Sequence, residues 1–217
     1  MKNYSRICPD CRELISYVSE PVCMCCGKEL PREEEDEAFC RDCRGRERSF
    51  KYGYALINYD KLMTRSMSAV KNRHRREYLD FYGEELFEKL GDRIGHMAPD
   101  IFVPVPIHRS RLRIRGYNQA EELSKILSAK TGIPTASDIL IRRKKTAALK
   151  NLGEGERRKS LNGAFDTLRK LEKGERVCIV DDIYTTGSTV EACAKELLAA
   201  GASEVFFICV CIGCGRK

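Results

Sequence analysis

Residues 177–189 constrain the fold more than any other stretch of the chain. Four apolar residues lead directly into Asp181 and Asp182, and a hydroxyl-rich turn with Gly187 near its centre follows. A helical pattern comes next, and a second apolar run occupies residues 205–210. Strands without polar alternation are buried on both faces, as in a parallel sheet covered by helices. We therefore predict an α/β fold with a mostly parallel sheet.

The turn after the two aspartates has the composition of a phosphate site. Hydroxyls and backbone N–H groups meet there at the start of a helix, where the helix dipole favours an anion. The Gly-Lys-Ser/Thr ending of a Walker loop is missing. Two carboxylates repel phosphate but accept hydrogen bonds from paired ribose hydroxyls, so a 5-phosphorylated ribose satisfies both halves of the motif. The alternative is an acidic strand end followed by an ordinary capped helix.

This pattern resembles the signature of type I phosphoribosyltransferases, which bind 5-phosphoribosyl 1-pyrophosphate (PRPP). The resemblance implies that Asp181 and Asp182 are the catalytic residues and contact the ribose hydroxyls. It also implies that Mg²⁺ bridges pyrophosphate and ribose oxygens. The residues expected to hold the 5-phosphate are Thr185, Thr186, Gly187, Ser188 and Thr189.

A second strand end carries an anion-binding pattern. Residues 101–108 begin as an apolar strand and end in a stiff, proline-punctuated turn. Four arginines follow within residues 109–115, and a helical pattern begins after them. Pyrophosphate is the natural ligand, with Arg113 and Arg115 as its candidate contacts. The alternative is a solvated basic face, in an exposed strand or a mobile loop.

Cysteines are concentrated near the start of the chain. Seven of the 12 fall within residues 8–43, including three Cys-x-x-Cys pairs. Two such pairs close a tetrahedral zinc site, and a head with few large apolar side chains needs a metal to fold. The expected ligands of a structural Zn²⁺ are Cys23, Cys26, Cys40 and Cys43. Cys8 and Cys11 complete an alternative site or a second, incomplete one, and Cys25 is interpreted as a spare thiol.

Charge divides the chain at the same place. Residues 1–48 contain 9 Lys/Arg and 11 Asp/Glu, whereas residues 49–217 contain 30 and 21. The basic part suits phosphate-rich ligands, either small metabolites or nucleic acid. We predict a Cys₄ zinc-ribbon module over residues 1–48 and a phosphoribosyltransferase-like domain over residues 49–217.

Hydropathy argues against a membrane protein. No apolar run approaches the roughly 18 residues that a membrane span needs, and the first residues are polar rather than a signal stretch. We therefore expect no membrane insertion and a cytoplasmic location.

The motifs together resemble the ComF family, competence-associated proteins related to phosphoribosyltransferases. The resemblance rests on the Cys-x-x-Cys head, the Asp-Asp-x-x-Thr-Thr-Gly turn, Val-Pro-Val-Pro at residues 103–106 and Arg-Gly-Tyr-Asn-Gln at residues 115–119. It implies a PRPP-binding pentosyl transferase, a glycosyltransferase that serves DNA uptake in natural transformation. Two alternatives stay open: a non-catalytic PRPP or nucleotide sensor, and a competence protein that binds single-stranded DNA or a DNA-uptake partner.

Three other segments carry expectations. Residues 142–160 are basic and resemble the loop that closes over the active site in phosphoribosyltransferases, although a nucleic-acid contact is an equal alternative. Residues 52–59 alternate like a strand, interpreted as part of the base-recognising hood. The basic run 71–76 falls in a helical segment, residues 62–90, broken at Gly83. His74 and His108 are interpreted as surface or structural residues, and Cys178, Cys193, Cys209 and Cys211 as core residues.

Overall fold

The computed structural model describes residues 7–144, 161 and 163–213. Its helices are α1 (Pro9–Glu13), α2 (Lys61–Asn72), α3 (Glu77–Met97), α4 (Arg109–Arg115), α5 (Gln119–Thr131) and α6 (Ser188–Ala199), with a 3₁₀ turn at Arg32–Glu34. Its strands are β1 (Gly53–Asn58), β2 (Ile101–Pro104), β3 (Leu140–Arg142), β4 (Phe165–Thr167), β5 (Arg176–Tyr184) and β6 (Glu204–Ile212). None of the helices in these residues has both the length and the apolar composition of a membrane span.

A parallel sheet in the order β1-β6-β5-β2 forms the centre of the protein. Successive residues of β5 enter different cores: Val177 and Ile179 pack with α6, whereas Cys178 and Val180 pack with α3 and α5. Because both faces are covered, the strands contain the continuous apolar runs seen in the sequence. The predicted α/β class is confirmed. The four cysteines assigned to the core, Cys178, Cys193, Cys209 and Cys211, are all buried.

The predicted helix break at Gly83 is wrong. Gly83 lies inside α3, where an added Cβ would lie 2.7 Å from Cγ2 of Ile126 on α5. The glycine therefore lets two helices approach closely. The break falls between α2 and α3 at residues 73–76, where His74 has a φ of 55°. A left-handed residue of this kind ends a right-handed helix.

The strand predicted at residues 52–59 exists, but its assignment to a hood is wrong. β1 is an outer strand of the central sheet and pairs in parallel with β6, with Gly53 opposite Phe207. An added Cβ at Gly53 would lie 2.2 Å from the ring of Phe207, so the strand needs glycine there.

The cysteine-rich head covers the outer edge of β1. The N–H of Gly53 donates to the carbonyl of Cys25 and the N–H of Val18 donates to that of Leu56, both at 3.0 Å. Covering an edge strand removes a row of unpaired backbone groups. Cysteines of the head share a hydrophobic core with α6. The boundary at residue 48 stays a prediction.

Candidate active site and metal centre

Asp181 and Asp182 lie near the carboxyl end of β5, between β2 and β6. They are 7% and 4% exposed, respectively. The N–H of Asp182 donates to Oδ1 of Asp181 at 2.8 Å. Two adjacent buried carboxyl groups at a sheet edge are costly unless polar partners compensate for the lost hydration.

Burial raises the pKa of Asp181 to about 8, and the neighbouring Asp182 adds to the rise while Lys71 opposes it. The physical reason is that a carboxylate loses hydration when it is buried, which favours the protonated form. A shifted carboxyl group at the end of a central strand is a typical feature of a functional site.

Lys71 supplies a counter-charge that the sequence did not indicate. Its Nζ forms an ion pair with Oδ2 of Asp182, and it lies in the last turn of α2. Nε of Arg115 donates to the carbonyl of Lys71 at 3.0 Å, so the ends of α2 and α4 meet beside the aspartates. The basic run at residues 71–76 was visible in the sequence, but no spacing connects it to residues more than a hundred positions away.

The predicted phosphate turn joins β5 to α6. Gly187 has a φ of 75° and occupies the N-cap of α6. The hydroxyls of Thr186 and Ser188 are hydrogen-bonded to each other at 2.8 Å. A cavity of about 20 Å³ is lined by this turn, including Thr185, Thr189 and Asp181. The turn thus places hydroxyls and a helix N-terminus directly beside the aspartates.

The side chain of Tyr184 packs against this turn at Gly187. An added Cβ at Gly187 would lie 2.3 Å from Oη of Tyr184. The Tyr184 ring stacks on Phe207 with centroids 4.7 Å apart and an interplanar angle of 4°. The tyrosine is therefore held in place, and only glycine fits above it.

The arginine-rich segment forms a helix, α4, rather than the exposed strand or mobile loop considered as alternatives. His108 caps its start by accepting a hydrogen bond from the N–H of Ser110 at 3.2 Å, and Gly116 ends it with a φ of 82°. Nδ1 of His74 lies 3.2 Å from the carbonyl oxygen of Arg115, the last residue of α4. Both histidines therefore have the structural roles that were expected.

The arginines of α4 differ in their relation to the aspartates. Arg115 is half-buried, and burial lowers its pKa while Asp182 opposes the change. Arg113, the other predicted pyrophosphate contact, is exposed. Burial also lowers the pKa of Arg142 on β3, as does the nearby Arg111, whereas Cys193 and Asp181 oppose the change. Arg142, the first residue of the basic loop predicted to close over the active site, therefore belongs to the charge environment of Asp181.

The basic loop predicted at residues 142–160 lies mostly outside the described residues. Its first three residues are described, and Nε of Arg143 pairs with Oδ2 of Asp166 at 2.7 Å. The predicted lid and the alternative nucleic-acid contact both fall on residues 145–160.

Four buried cysteines form the metal centre of the head. The sulfur atoms of Cys23, Cys26, Cys40 and Cys43 all lie within 4.8 Å of one another. Sγ of Cys26 and Sγ of Cys40 are 3.7 Å apart. Four thiolates around zinc, with Zn–S bonds of about 2.3 Å, place their sulfurs roughly 3.8 Å apart. The donor set and its spacing fit a structural Zn²⁺.

The third Cys-x-x-Cys pair lies apart from this cluster. Cys8, the N-cap of α1, and Cys11 within that helix are both exposed, and the N–H of Cys11 donates to Sγ of Cys8 at 3.4 Å. Cys25 is buried beside the cluster but is not one of its four sulfurs.

The chain is similar along most of its length to two competence proteins. It is 27% identical over 214 residues to competence protein ComFC of Bacillus subtilis, which covers 93% of this chain and 81% of that protein. It is 30% identical over 206 residues to competence protein F of Haemophilus influenzae, which covers 92% of this chain and 87% of that protein. The chain belongs to the ComF family.

Domain comparisons locate the two parts of this ComF-family chain. A family described as the phosphoribosyl transferase domain matches residues 114–216, and one described as the double zinc ribbon domain matches residues 1–44. The DNA utilization protein YhgH of Escherichia coli O157:H7 is 37% identical over 117 residues, which is 54% of this chain and 51% of that protein. The predicted ComF family and the predicted fold, a phosphoribosyltransferase-like sheet preceded by a zinc ribbon, are confirmed.

Proposed function

We propose that the protein binds PRPP together with Mg²⁺ and transfers its phosphoribosyl group to a nucleophile. The observation that carries this proposal is the buried pair Asp181 and Asp182 immediately before the turn at the start of α6. Ribose hydroxyls would donate hydrogen bonds to the carboxyl groups. The 5-phosphate would accept hydrogen bonds from the hydroxyls and N–H groups of residues 185–189, since a helix N-terminus favours an anion.

In the transfer, the bond between C1 of the ribose and a pyrophosphate oxygen breaks, and pyrophosphate leaves with the electron pair. The nucleophile forms the new bond to C1, and its proton passes to the leaving pyrophosphate. Lys71 and Arg115 lie beside the aspartates and supply positive charge where negative charge develops on the leaving group. Arg113, although exposed, remains a candidate contact at the outer end of pyrophosphate.

Oxygen donors of the kind that Mg²⁺ prefers are present in this site. The carboxyl groups of Asp181 and Asp182 are adjacent, and Mg²⁺ sites typically combine one or two carboxylates with phosphate oxygens of the substrate. Bound Mg²⁺ would neutralise the charge of the leaving pyrophosphate. The protein's own residues would position the sugar and exclude water from it.

Names of the relatives support a role in the use of DNA. They are called competence and DNA utilization proteins, and residues 49–217 carry 30 Lys/Arg against 21 Asp/Glu. We propose that the transferase serves DNA uptake and acts in the cytoplasm. The same basic excess favours a second candidate function, binding of single-stranded DNA or of a DNA-uptake protein.

The test is calorimetric titration of PRPP and Mg²⁺ into the zinc-loaded protein. The variant Asp181→Asn/Asp182→Asn should bind PRPP at least about a hundredfold more weakly, because charged hydrogen bonds are each worth about 1.5–3 kcal/mol. Asp138→Asn is the matched control, since this carboxylate is exposed and pairs with Arg169. If the folded wild-type protein does not bind PRPP, the proposal fails.

Catalysis is separated from sensing by measuring pyrophosphate release. With PRPP bound, a panel of bases and amines should yield pyrophosphate with at least one acceptor. Binding without release for every acceptor would favour the sensor.

DNA binding is tested by fluorescence anisotropy with single-stranded oligonucleotides at several salt concentrations. Affinity that falls steeply with salt and survives Asp181→Ala would favour a separate DNA surface. If PRPP abolishes DNA binding, both ligands instead share one site.

A further inference from the structure

Arg48 lies between the metal centre and the phosphate turn. Its Nη2 is 3.4 Å from the carbonyl oxygen of Asp42, which lies between the zinc-site residues Cys40 and Cys43. The same Nη2 is 3.5 Å from the carbonyl oxygen of Thr186 in the turn. Both distances exceed the roughly 2.7–3.2 Å of an ordinary N–H···O hydrogen bond, so these are long polar contacts. One guanidinium group thus contacts the backbone of both sites.

The two residues that follow Arg48, Ser49 and Phe50, contact other residues around the turn. The N–H and hydroxyl of Ser49 donate to the carboxylate of Glu191 at 3.0 and 2.8 Å, and Glu191 is in the first turn of α6. Phe50 packs edge-on against Tyr184, the residue beneath Gly187. Residues 48–50 therefore contact Thr186 before Gly187, Tyr184 beneath it and Glu191 after it.

The side chain of Arg48 is partly buried. Its Nε is a buried atom with no hydrogen-bond partner in the described part of the chain, and its guanidinium lies 5.9 Å from the Phe50 ring centroid. Arginine is suited to such a place because its weakly hydrated guanidinium group can donate to carbonyl oxygens while it lies over an aromatic ring.

The Thr186 contact bears directly on phosphate binding. In a trans peptide the carbonyl oxygen and the following N–H lie in one plane and point in opposite directions. When Arg48 holds the Thr186 carbonyl, the N–H of Gly187 is turned away from the head. That N–H belongs to the turn that the proposed function assigns to the 5-phosphate.

We infer that Arg48 is a positioning residue through which the zinc-bound knuckle at residues 40–43 orients the turn for the 5-phosphate. This inference rests on the proposed function. Zinc fixes the knuckle and the Asp42 carbonyl, Arg48 connects that carbonyl to Thr186, and the peptide plane connects Thr186 to the ligand. The zinc ribbon is thereby part of the ligand site rather than a separate module.

The test compares ribose 5-phosphate with Mg²⁺-pyrophosphate as calorimetric probes of the full chain. Arg48→Met should weaken ribose 5-phosphate and PRPP about tenfold and leave pyrophosphate affinity and zinc content unchanged. Arg48→Lys should show the same loss, because the lysine Nζ ends one bond closer to the backbone than Nη2, the atom that makes both contacts. The matched control is Arg44→Met, which removes an exposed arginine of the head paired with Glu37.

The outcomes are distinguishable. Wild-type affinity for ribose 5-phosphate in both Arg48 variants would overturn the inference and leave the proposed function intact. Equal weakening of ribose 5-phosphate and pyrophosphate would also overturn it, because that pattern indicates general loosening of the fold. Absence of PRPP binding by the wild-type protein would remove the proposed function itself.

Discussion

The metal centre and the proposed phosphoribosyl site differ in how their residues are distributed along the sequence. All four sulfurs of the metal centre come from two Cys-x-x-Cys pairs within residues 23–43. The aspartates and the phosphate turn are also contiguous, at residues 181–189, but the cations around them come from α2, α4 and β3. A metal site whose ligands lie close together in the chain is encoded locally, whereas a site of buried carboxyl groups depends on charges delivered by the fold.

The two regions should therefore be sensitive to different substitutions. The zinc centre depends on its ligands, because all four expected donors are buried cysteine sulfurs. The phosphoribosyl site depends on packing, because Gly187 lies directly over Tyr184 and Lys71 must reach Asp182 from another helix.

Loss of zinc should have the largest effect. Cys40→Ser, or removal of zinc by a chelator, should lower the free energy of unfolding by at least about 5 kcal/mol, since structural zinc contributes about 10–16 kcal/mol in small domains. The effect should extend beyond the head, because its cysteines share a core with α6. Urea denaturation with and without added zinc measures it. A zinc-free protein with an unchanged midpoint would contradict the prediction.

Gly187→Ala should have the next largest effect. The residue has a φ of 75°, and its new Cβ would meet Oη of Tyr184 at 2.3 Å. Strain and overpacking together should cost about 2–4 kcal/mol, and PRPP affinity should fall. Denaturation and calorimetry measure the two effects.

Gly132→Ala is the matched control for this substitution. Gly132 has a φ of 77° at the end of α5, but an added Cβ there meets no atom within 4 Å. It should cost only about 1 kcal/mol of conformational strain. Equal losses in the two variants would mean that the contact with Tyr184 is unimportant.

The sequence could predict the residues that lie close together in the chain. The aspartates, the turn and the four zinc ligands are recognisable because the chemistry needs those residue types at fixed short spacings. The sequence identifies Lys71 and Arg142 only as members of basic runs, because the packing of α2 and β3 is what brings them to the aspartates. Gly83 was misread as a helix break, since a close approach to Ile126 leaves no local signal.

Protonation of Asp181 should give a graded dependence of stability on pH. Its folded-state pKa is about 8, against about 3.9 in an unfolded chain, so the folded protein binds more protons between these values. The free energy of unfolding should therefore fall by about 1.4 kcal/mol per unit as pH rises toward 8, and then level off. Urea denaturation between about pH 6 and 8 measures the slope.

The control is the difference between wild type and Asp181→Asn. Contributions from groups that do not interact with Asp181 cancel in this difference, which should show the slope of the Asp181 carboxyl group together with its coupling to Asp182. Parallel stability profiles for the two proteins would show that Asp181 is already ionised in the folded state.

The smallest effect should come from Cys8→Ser/Cys11→Ser. Both thiols are exposed on α1 and lie outside the four-sulfur cluster, so the double variant should change the free energy of unfolding by no more than about 0.5 kcal/mol. Elemental analysis should find one zinc per chain in both the variant and the wild type. Two zinc ions in the wild type and one in the variant would show that this pair binds metal, and the head would then contain a second centre built from ligands that the fold gathers from a distance.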